Sequence, residues 1–449
     1  MDDKQGPKYS VAIVGAGPAG LFAARQLALA GAQVVVFNRD VKPGGLAEYG
    51  IYPDKHKMKE GLRKQFRQLL DLAQIEYWGN VPIGAPGGLS FAELRSFGFQ
   101  AVLVTVGAQG TKWLGLPDED LRGVYHAKDL VYHYNRLPPF SQADFAIGRR
   151  VAIIGVGNVM LDIAHWVVRE LKVDEVVAVA RRGPAEVKFD KPEMEYVAAN
   201  LDVAALDAEL ERVRARMEAV GQDVAKARVY ILAALPGAEA AVSTTRFRLE
   251  FLGSPHRIVG NDQGQVTGLE VEDTSLVASN GDTKARGLGT FRVIPADTVV
   301  FAIGDRVDEH FGLPVRSNEF VKNPQPRYPV AGLSYESFDP AAGQPIEGVF
   351  VAGWSREAST GLVGAARKDG INGAQAVLQY LNTLPPHTGL DLEALHARLA
   401  QLSQPVVSKA DWHRLEAVER DEAARHGVPE FKFSSNAEML AAMSLDQHA

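Results

Sequence analysis

Two stretches of this chain have the residue types and spacing to hold phosphate. Val11-Ala-Ile-Val14 runs into Gly15-Ala-Gly-Pro-Ala-Gly20, and far downstream Val151-Ala-Ile-Ile154 runs into Gly155-Val-Gly-Asn-Val-Met160. An apolar strand, a glycine turn and a following helix bring bare backbone N–H groups and the positive end of a helix dipole up to a pyrophosphate. Two such sites in one chain predict two dinucleotides, the pairing expected of a flavin reduced by a nicotinamide.

The elements around the first turn agree with it. Pro18 sits where a helix tolerates proline, and Leu21, Phe22, Ala24, Leu27, Ala28 and Ala30 follow before a stop at Gly31. Val34-Val-Val-Phe37 is then the next strand of a complete βαβ unit. The second copy places Met160 at the third glycine position, where a small residue normally lets helix and strand approach closely. Its next strand, Glu175 to Ala180, delivers Arg181-Arg182-Gly183-Pro184 where an NAD site presents an acid to the ribose hydroxyls. Guanidinium groups there suit a phosphate dianion, which favours NADPH over NADH. The plainer readings are an ordinary buried turn and a solvated basic pair at a strand end.

With 449 residues, 46% of them hydrophobic, and 43 glycines, the chain is expected to be a multidomain α/β protein with roughly two or three cores. A net charge of -7 argues against general attraction to nucleic acid or membranes. The opening residues lack an apolar signal core and no apolar run reaches membrane-spanning length, so a cytoplasmic location is expected. Cysteine is absent, which excludes a dithiol relay, a cysteine-ligated cluster or a thiol nucleophile. Electrons would leave the flavin directly. The 11 histidines show no metal-binding spacing, so no metal is expected.

Apolar strands closing on glycine, Ala101 to Gly107 and Thr298 to Gly304, mark the expected crossovers between domains. The predicted fold class is α/β, with two Rossmann-like dinucleotide-binding domains, the second inserted in the first. The expected bounds are 1–109 for the first part of the FAD domain, 110–318 for the NADP domain, and 319–449 for the second part of the FAD domain with a helical tail. Leu206, Leu210, Val213, Met217, Val220 and Val224 predict one amphipathic helix. Its other face, with Arg212, Arg214 and Arg216 and with Lys226 and Arg228 beyond, is either solvated or a docking face for an acidic protein. Asn323 to Pro329 reads as a loop without regular structure. Gly348 to Gly364 reads as a strand, a glycine-rich turn and a helix from about Ala365. Its N–H groups would face the electron-rich edge of an isoalloxazine, and Trp354 would cover a flavin face or else sit in the core.

Taken together, these segments resemble the adrenodoxin reductase family, ferredoxin–NADP reductases of glutathione-reductase-like fold. The matching positions are Gly15 to Gly20, Tyr49 to Asp54, Gly155 to Asp162, Arg181 to Pro184, Ser254-Pro255, Gly353-Trp354 with Thr360-Gly361, and Val407 to Trp412 with Leu415. The resemblance implies FAD bound by Gly15, Gly17, Ala19, Gly20, Asn38, Arg39, Gly45, Leu46, Gly107, Gly353, Trp354, Gly361, Leu362 and Val363. It implies NADP bound by Gly155, Gly157, Asn158, Val159, Arg181, Arg182 and Glu193, with Asp162, Lys55 and Glu193 in catalytic roles and a ferredoxin-like iron–sulfur protein as acceptor.

Five positions depart from the family pattern: Asn38 stands for the ribose-binding acid, Lys55 for a histidine, Val156 for a polar residue, Met160 for a small one and Ser359 for a proline. Asn38 lacks charge assistance, so FAD is expected to bind more weakly by about 1 kcal/mol. Lys55 places a fixed charge near the flavin. The alternatives are an enzyme resembling the small subunit of glutamate synthase, serving another protein or a small molecule, and a non-catalytic NADP-sensing flavoprotein.

Overall fold

The computed structural model describes residues 9–279, 282–385 and 389–445. The opening residues 1–8, on which the expectation of no signal core rests, lie outside them. The chain divides into two compact units: Met1–Thr111, Tyr132–Gln142 and Gly304–Ala449 form one, and Lys112–Val131 with Ala143–Ile303 form the other.

The first unit is built on a seven-stranded sheet. Its order is Glu336–Asp339, Gln344–Val351, Ala101–Val104, Tyr9–Val14, Ala32–Phe37, Ile75–Gly79 and Val407–Ser408. The central strands pair in parallel, and the two outermost are antiparallel. Tyr9–Val14 is buried along its whole length, which explains its unbroken apolar run: a parallel strand is covered on both faces. Val11, Ile13, Val34 and Val36 enter one core, and Ala12, Val14, Val35 and Phe37 enter the other, as the two-residue side-chain period requires.

Helices Pro18–Leu29 and Val363–Leu381 belong to the same core and meet at backbone distance. A Cβ at Gly370 would stand 2.1 Å from the Ala19 carbonyl oxygen, and one at Gly373 would stand 2.7 Å from Ala352 Cβ. The closing helix Lys409–His426 starts on a reciprocal Ser408–Asp411 cap and buries Trp412 and Leu415, as its resemblance suggested.

The second unit has a five-stranded, all-parallel sheet. Its order is Val124–His126, Thr298–Phe301, Arg150–Ile154, Glu175–Val179 and Arg246–Glu250. A three-stranded antiparallel sheet, Gly253–Gly260, Val266–Ser279 and Asp282–Pro295, accompanies it.

Several details differ from the sequence expectation. The chain rejoins the first unit at Gly304, well before 319, because Val307, Phe311 and Leu313 are buried in that unit's core. Tyr132–Gln142 also belongs there, with Tyr132 and Leu137 packed against Tyr49. The single long helix is two. Val203–Glu218 buries Leu206, Leu210, Val213 and Met217, and Val224–Leu232 starts afresh on an Asp223 cap. Gly221, at φ +76°, falls between them, so Val220 lies outside both helices. The Asn323 to Pro329 segment has no regular structure.

The glycine contact yields a test. Gly370→Ala should lower the melting midpoint by an amount equivalent to roughly 2–3 kcal/mol, because the new methyl meets backbone that cannot swing aside. Gly364→Ala, in the same helix with nothing within 4 Å of its Cβ position, serves as the control and should be neutral or stabilising. Equal effects of the two in thermal denaturation would disprove the close-approach account.

Candidate functional site

In the first unit, Gly15 is held at φ +106°, and a Cβ there would lie 2.5 Å from the Thr105 carbonyl oxygen. Its N–H donates to Phe37 O at 2.7 Å, and Thr105 Oγ1 donates back to Gly15 O at 2.8 Å. Sequence reasoning missed Thr105, since a threonine at the end of an apolar strand carries no distinguishing pattern. Gly17 caps helix Pro18–Leu29 without any side-chain hydrogen bond, and nothing lies within 4 Å of its Cβ position.

Six other helices among the described residues are closed at this end, whereas His56–Leu70 and the short helices Leu46–Tyr49 and Lys191–Glu195 also start without a side-chain cap. Ser90, Asp202, Asp223, Asp391, Ser408 and Ser435 each accept a hydrogen bond from the first turn that follows them. A helix start fronted by open glycine and left without such an acceptor presents its N–H groups to an anion from outside.

The remaining candidates of this unit gather around that turn. Gly44 N–H donates to Ala16 O at 2.8 Å, and a Cβ at Gly45 would lie 3.1 Å from Gly17 Cα, so the short helix Leu46–Tyr49 begins against the glycine turn. A Cβ at Gly353 would lie 2.7 Å from Ala19 Cβ, which brings the C-terminal turn to the same place. Gly353 N–H donates to Asp369 Oδ2 at 2.6 Å, and the Asp369 carboxylate also pairs with buried Arg356. Trp354 is only partly buried, and its indole N–H is pinned to Thr360 O at 2.9 Å, so it is not a core tryptophan. Gly107 N–H donates to Ser355 Oγ at 3.0 Å, Gly361 lies at φ +74°, and exposed Leu362 precedes helix Val363–Leu381 without capping it by side chain.

Asn38 is engaged differently from the expectation of a ribose ligand. Its Oδ1 accepts from Ala16 N at 3.2 Å, and its Nδ2 donates to the carbonyls of Asp40 and Lys42 at 2.9 and 2.8 Å. A carboxylate has no proton to give those carbonyls, which accounts for the amide at this position. Arg39, about half exposed and tied to Asp40 and Gln109, is the more accessible neighbour.

In the second unit the turn recurs with the same logic. Gly155 lies at φ +130°, with a Cβ position 2.3 Å from Ala302 O, and Gly157 caps helix Asn158–His165 with no side-chain bond and open space around it. Met160 is fully buried, so the third glycine position is filled by a core side chain. The helix widens into a π turn at Trp166–Glu170. Val159 is exposed, and Asn158 exchanges two 2.8 Å hydrogen bonds with Asp190. Asp162 and Glu193 are both partly buried, on Asn158–His165 and on the short helix Lys191–Glu195. Arg181 is exposed at the end of Glu175–Val179, and Arg182 pairs with Glu186 at 2.8 Å.

The expected basic docking face is largely neutralised. Arg212 pairs with Glu209 and Asp273, Arg214 with Glu211 and Glu218, Arg228 with Asp207, and exposed Lys226 reaches Asp223 at 3.9 Å. Arg216 donates to the Thr274 carbonyl. Acids three or four residues away, or on the neighbouring helix, cancel the charge that the arginine spacing alone suggested.

A buried ion cluster in the first unit went unread in the sequence. Glu48, on Leu46–Tyr49, receives Arg63 at 2.7 Å, Lys432 at 3.0 Å and Lys42 at 3.4 Å. Lys42 also meets Glu419, Arg63 meets Glu430, and Lys59 lies 3.4 Å from Glu430 and 3.1 Å from Asn135 Oδ1. The cluster thereby ties the segment after the glycine turn to the end of the chain. Burial opposes the charge on Glu48, but Lys42, Lys432 and Arg63 outweigh it and hold the carboxyl well below its usual range. Burial and then Lys432 push Lys59 down to about 7. Lys55, partly buried on the turn Pro53–Lys55, precedes the helix that carries Lys59 and Arg63. Among the described residues, no helix is long and apolar enough to cross a membrane and no group of acidic or imidazole side chains could hold a metal.

The sequence pattern of the pyridine nucleotide-disulphide oxidoreductase family matches residues 9–228. The chain is 30% identical over 462 residues to a protein of Mycobacterium bovis named as a probable ferredoxin/ferredoxin–NADP reductase, covering 96% of this chain and 75% of that protein. It is 29% identical over 386 residues to the mitochondrial NADPH:adrenodoxin oxidoreductase of Arabidopsis thaliana, covering 79% and 78%. The solved structure of Mycobacterium tuberculosis FprA in complex with NADPH superposes with a TM-score of 0.78 at 28% identity, covering 97% of this chain and 99% of that one. The mixed α/β architecture with two parallel sheets is therefore that of a two-domain pyridine nucleotide oxidoreductase.

Lys59 supplies a pH test. A lysine whose pKa is lowered on folding binds fewer protons in the native state, so its contribution makes stability rise with pH from about 7 towards the unfolded value near 10.4. Lys59→Met should remove that part of the slope, at most about 1.4 kcal/mol per pH unit. Denaturant unfolding of both proteins across this range checks it; parallel profiles would refute it.

Proposed function

The chain belongs to the adrenodoxin reductase-like family, and on that premise we propose that it passes electrons from NADPH through FAD to a ferredoxin-like iron–sulfur protein. The observation that carries this reading is the pair of open, glycine-fronted helix starts at the ends of two parallel sheets, one of them followed by Arg181 and Arg182 at the end of the next strand. A flavin held by the first unit would supply the conversion between a two-electron hydride donor and a one-electron acceptor.

The chain's own residues do the holding. In the first unit, the N–H groups after Gly15 and Gly17 take the FAD pyrophosphate, Arg39 serves the adenosine side, and the uncapped start of Val363–Leu381 with Gly361 and Leu362 offers donors to the flavin ring. Asp369 fixes Gly353, and the Thr360 carbonyl fixes Trp354, so the turn that makes these contacts is set before a ligand arrives. In the second unit, the N–H groups after Gly157 take the nicotinamide dinucleotide pyrophosphate, and Arg181 takes the 2′-phosphate. Asp162, Glu193 and Lys55 are proposed to govern proton and charge balance during transfer. The electron acceptor is proposed to be acidic, and the ion pairs around Arg212, Arg214 and Arg228 speak for a docking surface elsewhere than on that helix face.

Anaerobic titration of the FAD-loaded protein, read by flavin absorbance, should show bleaching by NADPH at concentrations far below those needed with NADH. A ferredoxin screen for reoxidation follows. Equal efficiency of the two nucleotides would defeat the assignment, and bleaching without reoxidation by any ferredoxin would point to another acceptor. Asp162→Asn should slow reduction by roughly tenfold or more while FAD content stays the same. Loss of flavin from that variant would make Asp162 structural instead.

A further inference from the structure

The two arginines after Glu175–Val179 do not have equal surroundings. Arg182 Nε lies 2.8 Å from Glu186 Oε2, in an ion pair whose side chains are only 26% and 12% exposed, and its Nη1 faces the Thr283 carbonyl at 3.5 Å. The other oxygen of Glu186 accepts from Gln222 Nε2 at 2.9 Å and from Thr283 Oγ1. Arg181 is exposed and has no ion pair among the described residues; only its backbone is fixed, by Thr274 Oγ1 donating to its carbonyl at 2.8 Å. The carboxylate is thus held through its other oxygen by two donors, which opposes its swinging away to release Arg182 when a phosphate arrives.

We propose that Glu186 is a specificity-determining residue: it holds Arg182 as a wall of the adenosine site and cancels its charge, leaving Arg181 to recognise the 2′-phosphate of NADPH. The inference rests on the second unit being the NADPH-binding one. Its physical basis is that a partly buried ion pair, whose carboxylate is hydrogen-bonded through its other oxygen, is not given up for a new partner without loss, whereas an exposed guanidinium gains a charge-assisted, bidentate contact at little cost. Charge counts the same way. Two arginines and one glutamate present a single net positive charge to a phosphate dianion, and removing the glutamate's charge frees a second.

The test uses the FAD-loaded full chain and two probes, 2′-AMP and 5′-AMP, with binding measured by titration calorimetry and the NADPH/NADH ratio of kcat/KM measured with ferricyanide. Arg181→Ala should weaken 2′-AMP by about tenfold or more and collapse the ratio, whereas Arg182→Ala made together with Glu186→Gln, which removes both charges of the pair, should weaken it less than about threefold. Glu186→Gln, which keeps the size and the acceptor oxygen for Gln222 and Thr283, should tighten 2′-AMP by roughly threefold or more and raise the ratio through KM, not kcat. Equal losses from the two arginine variants, or weaker 2′-AMP binding in Glu186→Gln, would overturn the proposal while leaving the NADPH site in place. If 2′-AMP binds no better than 5′-AMP to the unaltered protein, the nucleotide assignment of this unit fails and the proposal fails with it.

Discussion

The approach of helix Pro18–Leu29 to helix Val363–Leu381 at backbone distance is the constraint on which the first site depends. Where a Cβ at Gly370 would sit 2.1 Å from Ala19 O, no other residue permits the same crossing. That crossing sets Gly353 against Ala19, and so brings a turn from the far end of the sequence to the N-terminal glycine turn. Asp369, one residue before Gly370, then uses its carboxylate to hold Gly353 N–H, Arg356 and the Tyr335 hydroxyl. Packing and polar fixation arise from adjacent residues of one helix turn.

The second organising feature is electrostatic and concerns what is left unpaired. Six helix starts among the described residues are closed by serine or aspartate; of those without a side-chain acceptor, Gly17 and Gly157 are glycines with open space around them and Leu362 follows Gly361. Polar groups elsewhere are engaged to a high degree, as Asn38, Asn158 and the arginines of Val203–Glu218 illustrate. Against that background, an uncapped helix start beside glycine is a place built to receive charge from outside. The buried Glu48 cluster is the converse case. There, charge is taken out of water but balanced within the chain, and its worth lies in fixing one geometry more than in net stability.

How much could be read in advance follows from the range of the interactions. The sequence by itself determined the two βαβ units, the parallel sheets, the glycine turns and the arginine pair, because strand burial, helix periodicity and glycine at a left-handed position are local properties of a few consecutive residues. The family resemblance also placed Trp412 and Leu415 on a closing helix. Only the tertiary structure decided what each polar side chain does. Asn38 turned inward to its own loop, Arg182 became bound to Glu186 while Arg181 stayed exposed, and Lys42, Lys59 and Lys432 went into the interior with Arg63 partly buried beside them. The arginine stripe lost its charge to acids on neighbouring turns and strands. The physical reason is that a charged side chain takes whichever partner the fold brings within about 3 Å, and those partners lie up to hundreds of residues away, as Glu48 and Lys432 do. Local pattern specifies the backbone turn that can hold a phosphate; long-range packing specifies which side chains remain free to bind it.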